Sequence, residues 1–285
     1  MTVHFVGGGP GAADLITLRA AALLGQADVV LYPGTYLDAA VLAHCRDGVR
    51  LVDTQDLDLD RITAVLAEAH ASGAEVVRLC SGDPSLYSAV AEQTARLDAA
   101  GVPWALVPGV PAYAAAAAVV GRELTVPGLA QTVVLTRTQA RSTAMPEGES
   151  LATYAATGAT LVLHLAITRA AELAAELAEH YGADCPVAVV YRASQPEQQV
   201  LRGTLATIGE QVAAAGLRQA AVILVGPALD PAAVDESYLY DAARDRGLKR
   251  LDGRPEAELS RCPRGPSVPS RPGPSGRPGS AGTPR

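Results

Sequence analysis

The stretch HFVGGGPGAADLITLRA, residues 4–20, joins a short apolar run to a glycine-rich turn and then to a helical pattern. Similar apolar or β-branched runs recur along the chain, separated by segments with helical spacing. This alternation predicts parallel strands with crossover helices, and therefore an α/β fold. The predicted strands cover residues 2–6, 28–32, 50–52, 75–80, 104–107, 132–136, 160–165, 187–191, 199–202 and 221–225.

The strand–helix pattern is interrupted at GRELTVPG, residues 121–128, where proline and glycine are typical of a connection between domains. We therefore predict two α/β domains, over residues 1–121 and 122–240, each with a sheet flanked by helices. A C-terminal extension covers residues 241–285. Of the 26 residues from 260 to 285, 17 are Pro, Gly or Ser, and we expect disorder from about residue 260.

Charge and composition argue against several classes of protein. The 285 residues carry a net charge of −7, and residues 241–285 hold ten Lys or Arg against five Asp or Glu, which leaves −12 on residues 1–240. Such an acidic body argues against nucleic-acid binding, because that role requires a basic face. No apolar run reaches the length of a membrane helix, and no secretion signal precedes the first predicted strand. We expect a cytoplasmic protein that binds neither nucleic acid nor membranes.

Metal binding and nucleophilic catalysis find no support in the sequence. The four cysteines form no CxxC pair, and the five histidines lack the spacing of metal ligands. His164 lies inside the apolar run TLVLHLA and is predicted to be a core histidine with its hydrogen bonds satisfied. We therefore expect no metal site.

The glycines at residues 7–11, GGGPG, fit a dinucleotide-binding turn only in part. That turn needs G-x-G-x-x-G and an acidic residue about 20 positions further on. Here the third glycine is displaced and Pro10 removes one backbone N–H that a phosphate would need. The loop suits the close approach of a small or flat ligand better than it suits a pyrophosphate.

Two further loops follow predicted strands. In CSGDPSLYS, residues 80–88, Gly82 permits close backbone approach, Asp83 can accept hydrogen bonds, and Pro84 is predicted to begin the next helix. The run VPGVPAYAAAAAVVG, residues 107–121, predicts a helix with little side-chain bulk. That helix suits either a ligand beside its backbone or tight core packing.

Together the three loops carry a family resemblance. VGGGPGAADLITLRA, SGDPSLYSA and VPGVPA, in this order and spacing, are similar to the tetrapyrrole methylases, which use S-adenosylmethionine to methylate corrin and porphyrin precursors. The resemblance covers residues 3–240, and the stretch 121–166, with ELTVP and QTVVLTR, is its most specific part. It implies the two-domain tetrapyrrole methylase fold with the cofactor in the interdomain cleft, methylation of carbon 11 of precorrin-4, and a homodimer.

The resemblance also implies site residues. The cofactor-binding positions match small residues or residues acting through the backbone, with Asp83 expected to bind a polar group of the cofactor through its side chain: Pro10, Ser81, Gly82, Asp83, Leu86, Pro111, Ala112, Leu165, Ala193 and Ala221. A tetrapyrrole with many carboxylates needs cationic anchors. Arg137, at the end of a predicted strand, and Arg122 are the expected substrate-binding residues, with Arg141 and Arg192 nearby.

The sequence departs from the family pattern at two places, which bear on the first loop and on the expected substrate. Ala12 and Ala13 replace the usual Asp-Pro of the first loop, and Pro33 stands where uroporphyrinogen methylases carry an aspartate. Pro33 argues against uroporphyrinogen as substrate. The alternatives that stay open are methylation of another precorrin, of uroporphyrinogen, or of a protein or RNA; a dinucleotide-dependent oxidoreductase; and a non-catalytic tetrapyrrole carrier.

Overall fold

The computed structural model describes residues 1–138, 143–230, 237–238, 240 and 243–244. All ten predicted strands form, close to their predicted bounds: β1 Val3–Gly7, β2 Val29–Tyr32, β3 Arg50–Asp53, β4 Val76–Cys80, β5 Trp104–Val107, β6 Val133–Arg137, β7 Thr160–His164, β8 Pro186–Tyr191, β9 Gln199–Thr204 and β10 Ala221–Val225.

The α-helices fall between the strands and begin at recognisable caps. Thr17, Asp58 and Ser150 each accept a hydrogen bond from a backbone N–H in the first helical turn. Within the described part of the chain, no helix is both long enough and apolar enough to span a bilayer. The helices are α1 Leu18–Leu24, α2 Leu59–Ala71, α3 Val90–Ala99, α4 Ala112–Val120, α5 Leu151–Ala155, α6 Ala170–Tyr181 and α7 Ile208–Ala214.

The first sheet is fully parallel, as the alternating pattern predicts. Its strand order is β3-β2-β4-β1-β5, with β1 between β4 and β5. Parallel strands end at one common edge, so the loops that follow β1, β4 and β5 meet there. These loops are the three glycine-containing stretches of the sequence.

The second sheet corrects the prediction of parallel strands throughout. Its order is β6-β7-β10-β8-β9, and only β6 and β7 run parallel; β10 is antiparallel to β7 and β8, and β8 is antiparallel to β9. The connection 192–198 between β8 and β9 is too short for the crossover that a parallel pair requires. The apolar runs predicted the strands correctly, but not their direction.

The alanine-rich helix α4 packs against the second sheet. Ala115, Ala116 and Val120 are buried in one cluster with Val190 of β8 and Leu224 of β10. At positions 115, 116 and 120 the small side chains therefore serve core packing, one of the two roles that the composition allowed. Both sheets belong to one compact unit, Met1–Glu236.

The predicted domain boundaries 1–121 and 122–240 remain a prediction. α4 ends at Val120, just before the first predicted boundary. Its C-cap residue, Gly121, has a φ of 69° and is in the left-handed conformation. Most of the extension 241–285 lies outside the described residues, so the disorder expected from about residue 260 stays a prediction.

Candidate functional site

Backbone contacts join the loops after β1, β4 and β5. The amide of Gly82 donates to the carbonyl of Gly9 at 2.8 Å, and the amide of Gly9 donates back to the carbonyl of Gly82 at 3.1 Å. A Cβ atom on Gly7 would lie 2.5 Å from the Cα of Gly109. Only glycine permits this approach, so these glycines bring three loops together.

The first loop also contacts the connection between β8 and β9. The side-chain Nε2 of Gln195 donates to the carbonyl of Pro10 at 3.1 Å, and the hydroxyl of Ser194 accepts from the backbone amide of Ala12 at 3.1 Å. A Cβ atom on Gly11 would lie 2.7 Å from the Nε2 of Gln195. The last glycine of GGGPG therefore makes room for a side chain of the second half of the chain.

The backbone amides of GGGPG are not arranged as in a dinucleotide-binding turn. The amides of Gly8 and Gly9 donate to the carbonyls of Cys80 and Gly82, so they do not point at a phosphate. A single 3-10 turn, Ala13–Leu15, follows the loop, where a pyrophosphate site would place the N-terminus of an α-helix. The geometry disfavours a pyrophosphate at this loop.

Asp83 connects two of the three loops. Its Oδ2 accepts from the amide of Gly109 at 2.7 Å, while its Oδ1 accepts from the amide of Ser85 at 2.8 Å and from the Ser85 hydroxyl. Burial raises the pKa of the Asp83 carboxyl, but the hydrogen bonds from Ser85 and Gly109 outweigh burial and bring its pKa below the usual value. Both oxygens thus have protein donors, which favours a structural role for this side chain.

The prediction that Pro84 begins a helix is wrong. Pro84 lies in a turn, and α3 begins at Val90. The bond from the Ser85 amide to Asp83 favours a turn at this point, and the positive φ values of Tyr87 (53°) and Ala89 (49°) exclude a continuous helix from Pro84. The segment 83–89 is therefore a loop along the edge of the first sheet.

A cavity of about 700 Å³ opens where these loops meet the second sheet. Its volume is in the range of small-molecule sites. All ten predicted cofactor-binding residues line it: Pro10, Ser81, Gly82, Asp83, Leu86, Pro111, Ala112, Leu165, Ala193 and Ala221. The structure thus brings together residues that lie more than 200 positions apart in the chain, although their role toward a cofactor stays a prediction.

Backbone strain is concentrated at this cavity. Six non-glycine residues in the described part of the chain have positive φ, and five of them line the cavity: Tyr87, Ala89, Leu165, Arg192 and Ala220. Each such conformation costs about 1–3 kcal/mol and persists where the surroundings fix it, commonly at ligand sites. This distribution marks the cavity as a functional site.

The cavity wall carries more positive than negative charge. Arg78, Arg192 and Arg218 line it, and Asp83 is the one carboxylate among its described lining residues. This balance is opposite to that of the chain, whose net charge is −7. An anionic ligand fits such a wall.

The predicted substrate-binding arginines lie outside the lining. Arg137 does end β6, and it donates to the carbonyls of Thr143 at 2.9 Å and Ala144 at 3.4 Å. Arg122 donates to the carbonyl of Leu229 at 2.6 Å and lies 3.7 Å from the Asp230 carboxylate. Arg141 lies outside the described residues. A substrate role for Arg137 and Arg122 remains a prediction.

His164 is not the satisfied core histidine that its apolar run predicts. It ends β7 at the cavity wall, its ring centroid lies 5.4 Å from that of Tyr87, and its buried Nε2 has no hydrogen-bond partner among the described residues. Burial lowers the pKa of His164 to about 4, so its ring is neutral at pH 7. His164 therefore adds a polar group without charge to the wall.

Sequence reasoning missed Arg78, Arg218 and the contacts of Gln195. Arg78 had a visible signal, because a charged residue inside the apolar strand EVVRLC is rare unless it has a specific role. Gln195 and Arg218 lie in polar stretches that look like ordinary surface. Only the packing of the two sheets places them at the cavity.

Comparison with known proteins adds independent findings. The pattern of the family described as Tetrapyrrole (Corrin/Porphyrin) Methylases matches residues 2–209. A precorrin-4 C(11)-methyltransferase of Rhodococcus erythropolis is 55% identical over 246 residues, which is 86% of this chain and 99% of that protein.

Two solved structures share the fold. The X-ray structure of a cobalt precorrin-4 methyltransferase, described as a cobalamin biosynthetic enzyme, matches with a TM-score of 0.78 and 37% identity, over 81% of this chain and 96% of the other. The uroporphyrin-III C-methyltransferase of Thermus thermophilus, complexed with S-adenosylhomocysteine, matches with a TM-score of 0.66 and 31% identity, over 80% and 99% of the two chains.

Proposed function

The chain belongs to the tetrapyrrole (corrin/porphyrin) methylase family, and from this premise we propose that it transfers a methyl group from S-adenosylmethionine to carbon 11 of precorrin-4. The product is precorrin-5, an intermediate of cobalamin biosynthesis. The relatives at 49–55% identity over most of the chain support this substrate. The sequence stretch 121–166 favours the same substrate.

One observation of the structure carries the proposal. The same cavity collects all ten predicted cofactor positions, five strained residues and three arginines. Small residues and backbone groups suit a cofactor recognised by its shape, and the arginines suit a substrate with several acid side chains. A dinucleotide enzyme would need free amides in the first loop, and the amides of Gly8 and Gly9 are already paired.

The residues present fit S-adenosylmethionine, which supplies an activated methyl group when it is bound. The joined loops 7–11, 81–83 and 107–112 form one wall, and Leu165, Ala193 and Ala221 come from the second half of the chain. What these residues contribute is orientation, because methyl transfer requires the attacking carbon to be held in line and close. His164 is neutral at pH 7 and adds a hydrogen-bonding group beside that wall.

Thermal unfolding with two ligands tests the class of enzyme. We expect S-adenosylhomocysteine to raise the melting temperature and NADH to leave it unchanged, since a ligand that binds only the folded state stabilises it. The opposite result would favour the oxidoreductase. A non-catalytic carrier would bind precorrin-4 and release no S-adenosylhomocysteine from added S-adenosylmethionine.

Arg137→Ala tests the predicted substrate anchor. An arginine–carboxylate contact is charge-assisted, so we expect the apparent KM for precorrin-4 to rise about tenfold while the affinity for S-adenosylhomocysteine stays within about twofold. Arg137→Lys should recover little, because lysine lacks the bidentate fork. Arg137 also donates to the carbonyls of Thr143 and Ala144. A lower melting temperature with equal losses of both affinities would assign it to that loop instead.

A homodimer and a cytoplasmic location also belong to this proposal. The family resemblance favours the homodimer, and light scattering of the purified protein tests it. The proposed substrate class has two members, precorrin-4 and its cobalt complex. Parallel assays with precorrin-4 and cobalt-precorrin-4 distinguish them.

A further inference from the structure

Arg78 is a buried cation at the wall of the cavity. It lies in the middle of β4, is 7% exposed, and lines the cavity beside Cys80 and Gln93. Burial lowers the pKa of its guanidinium, as expected for a cation removed from water. A charged side chain in such a position is rare unless it is paired.

Among the described residues, the hydrogen-bond partners of Arg78 are neutral. Its Nε donates to the Oε1 of Gln93 at 3.2 Å and its Nη1 donates to the carbonyl of Leu79 at 2.8 Å. A guanidinium has five N–H donors, so these two bonds leave most of them for another acceptor. Among the residues that the structure describes, no carboxylate forms an ion pair with Arg78, and Asp83 is held by Gly109 and Ser85.

The position of this guanidinium is fixed in advance. The Nε2 of Gln93 donates to the carbonyls of Ser88 at 3.2 Å and Ala89 at 3.0 Å, so its Oε1 must face Arg78. The same residues belong to the strained loop at the edge of the cavity. A planar cation held in one orientation is prepared to bind a planar anion, at little further cost in entropy.

We propose that Arg78 binds a carboxylate of the ligand that occupies the cavity. An uncompensated buried charge is costly, and an incoming carboxylate compensates it through charge-assisted hydrogen bonds. The inference rests on the proposed function, because two ligands of that reaction carry the required group. These are the acid side chains of the corrin precursor and the amino-acid carboxylate of S-adenosylmethionine.

The test measures binding to Arg78→Met and Arg78→Lys by calorimetry. The probes are S-adenosylhomocysteine; 5′-methylthioadenosine, which lacks the amino-acid carboxylate; and precorrin-4 in the presence of S-adenosylhomocysteine. We expect Arg78→Met to bind one carboxylate ligand about 30-fold more weakly or worse, with 5′-methylthioadenosine unchanged. Loss toward S-adenosylhomocysteine identifies the cofactor as the source, and loss toward precorrin-4 alone identifies the substrate. Arg78→Lys keeps the charge and should lose less than Arg78→Met does.

The melting temperature of the unliganded variants separates binding from a structural role. Methionine fills similar space and removes a buried charge, but it leaves the Oε1 of Gln93 and the carbonyl of Leu79 without this donor, so we expect Arg78→Met to melt close to the wild type. Arg96→Met removes the same charge from the exposed pair with Asp60 and should change no affinity. The proposal is overturned if Arg78→Met binds both carboxylate ligands normally, or if both variants lose 5′-methylthioadenosine as well. A wild type that binds no S-adenosylhomocysteine would instead refute the proposed function.

Discussion

Replacing Gly109 with alanine is expected to weaken the binding of S-adenosylhomocysteine more than about tenfold and to lower the free energy of unfolding by about 1–3 kcal/mol. A Cβ atom at this position would overlap the carbonyl oxygen of Gly82 and would lie 2.8 Å from the Cα of Gly7. Both neighbours are backbone atoms and cannot turn aside as a side chain could. The three loops would have to move apart, and the cavity wall that they form would change shape.

Gly25→Ala is the matched control for this substitution. Gly25 caps α1 with a φ of −66°, and a Cβ atom there would meet its nearest neighbour at an ordinary 3.5 Å. We expect its melting temperature and ligand affinity to stay close to those of the wild type. A Gly109→Ala variant that matched this control in both measurements would show that the loops do not depend on close packing.

Asp83→Asn is expected to destabilise the protein by about 1–2 kcal/mol at pH 7, because an amide oxygen can accept on one side only and its NH₂ group would face a donor on the other. The two donors are the amides of Gly109 and Ser85. Denaturant unfolding of the wild type and the variant measures the difference. Asp58→Asn, at the N-cap of α2, is the control, since asparagine caps a helix as well as aspartate does.

The destabilisation by Asp83→Asn should depend on pH. Hydrogen bonds from Ser85 and Gly109 lower the pKa of folded Asp83, against the opposing effect of burial. A lowered pKa adds stability in full above the unfolded value of about 3.9, and that stability is lost as the pH falls through the folded pKa. The difference between the wild type and the variant should therefore be largest above about pH 5 and should shrink as the pH falls below about 4 toward the folded pKa. A difference that stayed constant between pH 7 and pH 3 would contradict this role.

The apolar runs predicted every strand, because burial of a strand requires a local pattern that the sequence displays. The direction of a strand is not visible in its local pattern. β10 is antiparallel to β7 and β8, and this pairing depends on contacts between strands that are distant in the sequence. The residues of the candidate site also divide into those that local motifs predict and those that depend on the folded chain. The family resemblance predicted ten residues that line the cavity, and seven of them lie within the three quoted loop motifs.

Side-chain partners could not be predicted in the same way. Asp83 was expected to face the cofactor, and the structure shows that its two oxygens hold loops together. Arg137 was expected at the substrate, and its guanidinium lies against the carbonyls of Thr143 and Ala144. Hydrogen-bond partners are set by proximity in the folded chain, and the spacing of residues along the sequence does not reveal that proximity.

Methyl transfer itself is tested most directly by incubating the protein with precorrin-4 and S-adenosylmethionine that carries a ¹³C-labelled methyl group. The product, examined by carbon NMR and mass spectrometry, should contain one labelled methyl group on carbon 11, with one S-adenosylhomocysteine released for each product formed. Label at another carbon of the macrocycle would contradict the proposed substrate position. Binding of both ligands without any transfer of label would contradict the proposal that this protein is a methyltransferase.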